Sequence, residues 1–258
     1  MDNMVLMDGM EMAWLPEGEV EYLTSPFSDS AAWGRPSTLI GRLPIRATKP
    51  DARPLVNQRL PPLCSIYEVS RFSTSKRYEE HLAGRWLVGV LLEKWGIEVS
   101  GLEIVRDEKR APSLSWRLES EFSKPLPSIT IGHSEGWAIA ALSEPDNNVG
   151  IDAERADREI SSSTFVMMAK GKELQHLNDN PDSAISIWTA KEAVQKALHF
   201  GMHLNPRKVK GKWPNPIGDL AVIIPIGKNN VQLETWQYDD LRISLAFNLV
   251  PQSIIFPR

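Results

Sequence analysis

The sequence predicts an α+β fold, and three observations carry that prediction. A helical pattern with one broad apolar face runs over about residues 75–95. Two further helical patterns cover about 162–177 and 182–200, and the chain then reads as three strands in "DLAVIIPIG", "VQLETWQYDD" and "LRISLAFNLV". Helices and strands therefore come in separate runs, without the strand–helix alternation of a parallel sheet.

Taken in order, residues 1–62 are rich in Pro, Ser and Gly and read as an irregular N-terminal extension of loops and short strands. In the first helix Leu82, Trp86 and Val90 repeat at i+4, with Ala83, Leu87 and Leu91 beside them. Gly96 is its C-terminal stop. Arg77, His81 and Arg85 form a basic row beside that face. "GLEIVRDEKRAPSLSW" predicts strand, turn, strand, and "PSITIGHSEGWAIAAL" predicts two short strands about a polar tip. "SEPDNN" is a turn, and "VGIDAE" a buried strand over Val149–Ala153. Ser residues offer caps for the helix at 162–177, Gly201 ends the helix at 182–200, and "GKNN" supports a hairpin.

The totals bound the function. A net charge of −4 argues against a general nucleic-acid binder. One cysteine, Cys64, excludes an internal disulfide and a Cys-rich metal framework; it reads as a small packing residue in a reducing, cytoplasmic setting. The acidic first twenty residues do not resemble a signal peptide, and no run approaches the ~18 apolar residues of a membrane span.

The chemistry lies in carboxylates. Asp152 and Glu154 are two apart on a strand and share a face. Two acids aimed together need a cation, a basic partner or open water. In "WTAKEAVQKAL", Trp188, Glu192 and Lys196 form one row on an otherwise apolar helix, so the Glu–Lys pair reads as buried. Three carboxylates without cysteine suit a hard cation such as Mg²⁺, which keeps waters and substrate phosphates in its shell.

"VGIDAE" followed some forty residues later by "WTAKEAVQK" resembles the paired signature of the 4′-phosphopantetheinyl transferase superfamily, in its longer Sfp-type form. "ITIGHSEGWAIAAL" and "KRAPSL" resemble its upstream motifs, "RYEEHLAGRWL" the N-terminal helix of its siderophore-type members, and "GMHLNPRKV" the segment after the second signature. The resemblance covers about 70–250. It implies two similar α+β halves, 63–146 and 147–258, about a pseudo-twofold axis with the active site in the cleft between them. It implies a cytoplasmic monomer that moves 4′-phosphopantetheine from coenzyme A to a serine of an apo acyl or peptidyl carrier protein, releasing adenosine 3′,5′-bisphosphate. Asp152, Glu154 and Glu192 match the Mg²⁺ ligands, Lys196 the lysine on the pyrophosphate, and His133 a histidine whose ring N–H donates to phosphate. Glu192 is also the candidate base, with Lys191 or a metal-bound water as alternatives. Arg77, Arg85, Arg110, His133, Ser134, Lys191 and Lys196 are the expected coenzyme A contacts. Two departures stand out: Arg110-Ala111-Pro112 replaces a usual Gly-Lys-Pro, and Gly132 replaces a usual Ser.

Two other functions are set against this one. "GHSEG" fits the G-x-S-x-G elbow of serine hydrolases, but that elbow leads into a substantial helix and "WAIAAL" is too short for one. A homologue that binds coenzyme A or carrier protein without turnover is disfavoured by the presence of all three carboxylates and Lys196. His199 and His203 lack an H-E-x-x-H frame and are not read as metal ligands, and His176 reads as helix surface.

Overall fold

The computed structural model describes residues 14–16, 18–28, 35–45, 59–117, 125–134, 136–211, 213 and 218–249. Within them lie two four-stranded antiparallel sheets, each covered by one helix. The first sheet runs β1 (Glu21–Leu23), β2 (Thr38–Pro44), β6 (Trp137–Ser143), β5 (Ser128–Ser134), and carries α2 (Ser75–Trp95). The second runs β7 (Asn147–Arg155), β10 (Leu241–Leu249), β9 (Asn229–Tyr238), β8 (Leu220–Ile226), and carries α5 (Ala184–Ala197). A hairpin of β3 (Leu102–Arg106) and β4 (Pro112–Trp116) stands beside them. The α+β expectation holds.

Alternation along the strands sorts the core into layers. Leu43, Ala138, Ala140 and Leu142 pack against Leu82, Leu87 and Leu91 of α2. On the other face of that sheet Ile40, Ile139 and Ala141 meet Val149, Ile151, Ile243 and Leu245 of the second sheet. Ala246, Leu233 and Val231 then pack under Ala193, Val194 and Ala197 of α5. All these side chains are buried, each apolar group contributing about 25 cal/mol per Å² removed from water.

Local chemistry sets the ends of the long helix as expected. The Thr74 hydroxyl accepts from Arg77 N at 3.3 Å, and Gly96 closes α2 in the left-handed region at φ 85°. Two expectations about elements are corrected. The helix expected over 162–177 is two: α3 (Ser162–Met168) and α4 (Lys172–Asp179), broken where Gly171 turns to φ 59°. The helix expected to run to Gly201 ends at Ala197, and a 3-10 turn at Gly201–His203 follows. Within residues 1–62, expected to be loops and short strands apart from the two halves, β1 and β2 are short strands of the first sheet. There Arg42 of β2 is buried over the Trp137 ring at 4.1 Å and the Tyr238 ring at 4.8 Å, bridging the two sheets. It also pairs with Glu21 at 2.9 Å and Asp239 at 3.1 Å. The other residues of that stretch, 1–13, 17, 29–34 and 46–58, lie outside the described ones.

Candidate active site

The site forms where β5 and β7 lie side by side. Thr130 Oγ1 accepts from Ile151 N at 3.1 Å and ties the two strands together. Even-numbered residues of β5 face β7, and odd-numbered ones face α2. Thus Ser134 Oγ donates to Glu154 Oε2 at 3.2 Å, while Ile131 and His133 pack on Gly84 of α2. Gly84 is needed there: a Cβ would stand 2.9 Å from His133 Nε2 and from Ile131 Cγ2.

Gly150 does the same for α5. A Cβ on Gly150 would collide with the Ala193 carbonyl oxygen and the Ala197 nitrogen, so the α5 backbone lies directly on β7. That approach lets Lys196 reach back: its Nζ donates to Asp152 Oδ1 and to the Ile151 carbonyl, each at 2.8 Å. A buried hydroxyl chain fixes the same face of the helix one turn earlier, Thr189 Oγ1 to Ser244 Oγ at 3.0 Å and Ser244 Oγ to Thr235 Oγ1 at 2.7 Å. Gly84, Gly150 and Thr189 escape a reading of residue chemistry, because what each one touches is distant in the chain.

Asp152, Glu154 and Glu192 lie near enough to act on one another electrostatically. Burial pushes the Asp152 carboxyl up against the pull of Lys196. Burial also raises Glu192, with Asp152 and Glu154 adding to it and Lys196 opposing. Glu154 Oε1 pairs with Arg158 at 2.6 Å. Among the described residues, no three His, Cys, Asp or Glu form a metal cage by themselves. The donor chemistry nevertheless fits a hard cation. All donors are carboxylate oxygens, and Asp152 Oδ2 is buried without a partner among the described residues. Mg²⁺ takes its remaining ligands from water and phosphate, so a closed protein cage is not required.

A cleft of about 900 Å³ opens beside this cluster. Arg71, Arg77, Arg85, Arg106, Lys109 and Arg110 line it, with Lys196 and His133. A second lobe of about 490 Å³ shares Arg77, His133 and Lys196 and reaches Asp152. Cations along the walls and acids at one end suit a polyanion bridged to the acids by a divalent cation.

The expected contacts divide. Arg77 is free to turn into the cleft: its side chain is 72% exposed and bonded to Glu80 at 3.2 Å. Arg85 lines the cleft but is buried, and pairs with Glu68 at 2.9 Å. Arg110 lines it from a tight turn at φ 69°, where Asp107 Oδ1 accepts from Lys109 N and Ala111 N. A glycine is comfortable at that φ and an arginine is strained by about 1–2 kcal/mol. Gly132 also acquires a reason: a Cβ there would lie 3.2 Å from Lys196 Nζ. The ammonium sits in the room that a serine would take.

Three of the expected contacts sit as follows. Lys191 is not brought to the site. It is 1% exposed and donates to Glu173 Oε2 at 2.9 Å, Pro206 O at 3.1 Å and Val209 O at 2.6 Å. Adjacent helical residues do not share a face, so Lys191 and Glu192 must diverge. Ser134 is occupied by Glu154 and steadies a carboxylate; neither cavity lobe includes it. His133 is neutral. Burial and then Lys196 lower its pKa to about 3, and a hydrogen bond to the Glu80 backbone is not enough to restore it. Its Nε2 packs on Gly84 and is buried without a partner among the described residues.

Lys191→Met is expected to cost about 3–5 kcal/mol, because it strands Glu173 and two carbonyls in the interior. Thermal unfolding would show the loss, while turnover by the folded fraction at low temperature stays near normal. A fall in turnover without loss of stability would return Lys191 to the chemistry.

The hydrolase geometry does not form. β5 ends at Ser134 and the chain turns into strand β6 rather than a helix. No described helix is long and apolar enough to cross a membrane. Residues 148–243, which include β7, α5 and most of the second sheet, match the family described as the 4′-phosphopantetheinyl transferase superfamily. No curated protein matches the chain.

Proposed function

We propose that this chain, a member of the 4′-phosphopantetheinyl transferase superfamily through residues 148–243, moves 4′-phosphopantetheine from coenzyme A to a serine of an apo acyl or peptidyl carrier protein. The observation that carries the reading is the Asp152–Lys196 pair lining a cation-lined cleft, with Glu154 and Glu192 near enough to act on the Asp152 cluster electrostatically.

In the proposed reaction the carrier serine oxygen attacks the phosphorus that bears pantetheine. A new P–O bond forms as the bond to adenosine 3′,5′-bisphosphate breaks. Glu192 is the proposed acceptor of the serine proton. Lys196, released from Asp152, meets the negative charge growing on the departing phosphate. Arg77 and Arg110 hold the outer phosphates, and His133 with Gly84 shapes the lobe around them. Asp152, Glu154 and Glu192 would hold Mg²⁺, which when bound neutralises pyrophosphate charge. Lys191 has no part in this scheme, and Ser134 acts only by orienting Glu154.

The chain is proposed to act as a cytoplasmic monomer, with coenzyme A and the carrier protein as its partners. The test is chromatographic. Adenosine 3′,5′-bisphosphate should appear when protein, coenzyme A and Mg²⁺ meet an apo-carrier protein, and should not when the carrier serine is replaced by alanine. Release that ignores the carrier serine would mark coenzyme A hydrolysis and overturn the reading.

A further inference from the structure

The larger lobe of the cleft contains an acid that the proposed reaction does not use. Glu68 belongs to the short helix α1 (Ile66–Val69) and faces two arginines and a histidine. Its Oε2 accepts from Arg85 Nη2 at 2.9 Å and lies 3.6 Å from His81 Nε2. Its Oε1 accepts from Arg106 Nε at 3.1 Å. Arg85 is 1% exposed, and its Nε and Nη1 have no acceptor among the described residues; neither has His81 Nε2. Buried donors without acceptors are costly, and one carboxylate cannot satisfy all of these at once. This part of the cleft holds more donors than its own acid can use.

We propose that Glu68 is an internal counter-anion that competes with the terminal phosphomonoester of the co-substrate for Arg85, His81 and Arg106, and so sets how strongly the enzyme distinguishes co-substrates with and without that phosphate. The proposal rests on the coenzyme A reading above. Without ligand, Glu68 keeps a buried guanidinium paired. With ligand, its charge opposes the incoming phosphate and weakens binding of substrate and of the bisphosphate product alike. Glu68 touches no reacting atom, so its effect falls on KM and product affinity rather than on the chemical step.

Glu68→Gln tests this directly. KM for coenzyme A is expected to fall about tenfold, the scale of one charge contact at ~4 Å that is largely screened by solvent. KM for 3′-dephospho-coenzyme A should scarcely move, and kcat should hold for both. An equal change for both co-substrates, or a rise for coenzyme A, would make Glu68 a structural prop and overturn the proposal. If E68Q fails to fold, the wild-type protein serves instead. Its Arg85 Nε–H resonance should shift with adenosine 3′,5′-bisphosphate and stay put with adenosine 5′-phosphate; equal responses would overturn the proposal. Normal wild-type turnover with unchanged discrimination in E68Q defeats this proposal alone. Absence of both turnover and coenzyme A binding in the wild type defeats it together with the transferase reading.

Discussion

Gly150→Ala is expected to lower the melting temperature by roughly 6–12 °C, from about 3 kcal/mol of overpacking at roughly 2–4 °C per kcal/mol. The added methyl meets main chain of α5, the Ala193 carbonyl and the Ala197 nitrogen, and these cannot rotate away as a side-chain tip would. Lys196 Cβ, 3.0 Å from the same point, is pressed as well. The helix must therefore lift from β7. The same shift carries Glu192 and Lys196 away from Asp152, and a misplacement of ~1 Å in reacting groups costs about a hundredfold in turnover. Gly89 provides the control. It lies inside α2 with only Pro62 Cβ near, at 3.9 Å, so Gly89→Ala should stabilise the protein by about 0.5–1 kcal/mol. Calorimetry on both variants decides the matter. If G150A melts like the wild type, the close contact of helix and strand is not what assembles the site.

Lys196→Met is expected to lower kcat by about 10²–10³, the usual loss when one donor is removed from a site of developing charge. The methionine retains most of the stem but not the ammonium that reaches Asp152 Oδ1 and the Ile151 carbonyl. KM for coenzyme A should change far less, because the arginines of the cleft remain. Steady-state kinetics separates the two. A large rise in KM with kcat intact would mean that Lys196 only binds the co-substrate and does not act in the transition state.

The parts of the site visible in the sequence are those governed by short periods. A two-residue step places Asp152 and Glu154 on one face, and a four-residue step aligns Glu192 with Lys196; both relations appear in the fold. The same helical geometry excludes Lys191, whose neighbour Glu192 must point elsewhere. What could not be read depends on residues far apart in the chain. Gly84, Gly132 and Gly150 matter for the space around them, occupied by His133, Lys196 and α5. Glu68 draws its meaning from Arg85 and Arg106, and Arg106 lies 38 residues away. Strands β1 and β2 sit in Pro-rich sequence with weak alternation; their register is fixed by pairing with β6 and by Arg42 packed between Trp137 and Tyr238. The helical pattern at 162–177 hid its break because a lone Gly171 can sit within a helix as readily as end one.

Intact mass measurement of a panel of apo-carrier domains, incubated with the protein, coenzyme A and Mg²⁺, tests the central claim most directly. At least one carrier should gain the mass of a single 4′-phosphopantetheine, with fragmentation placing it on a serine, and the gain should vanish with Asp152→Asn. Carriers that keep their apo mass throughout, or a gain that persists in the Asp152 variant, would contradict the account.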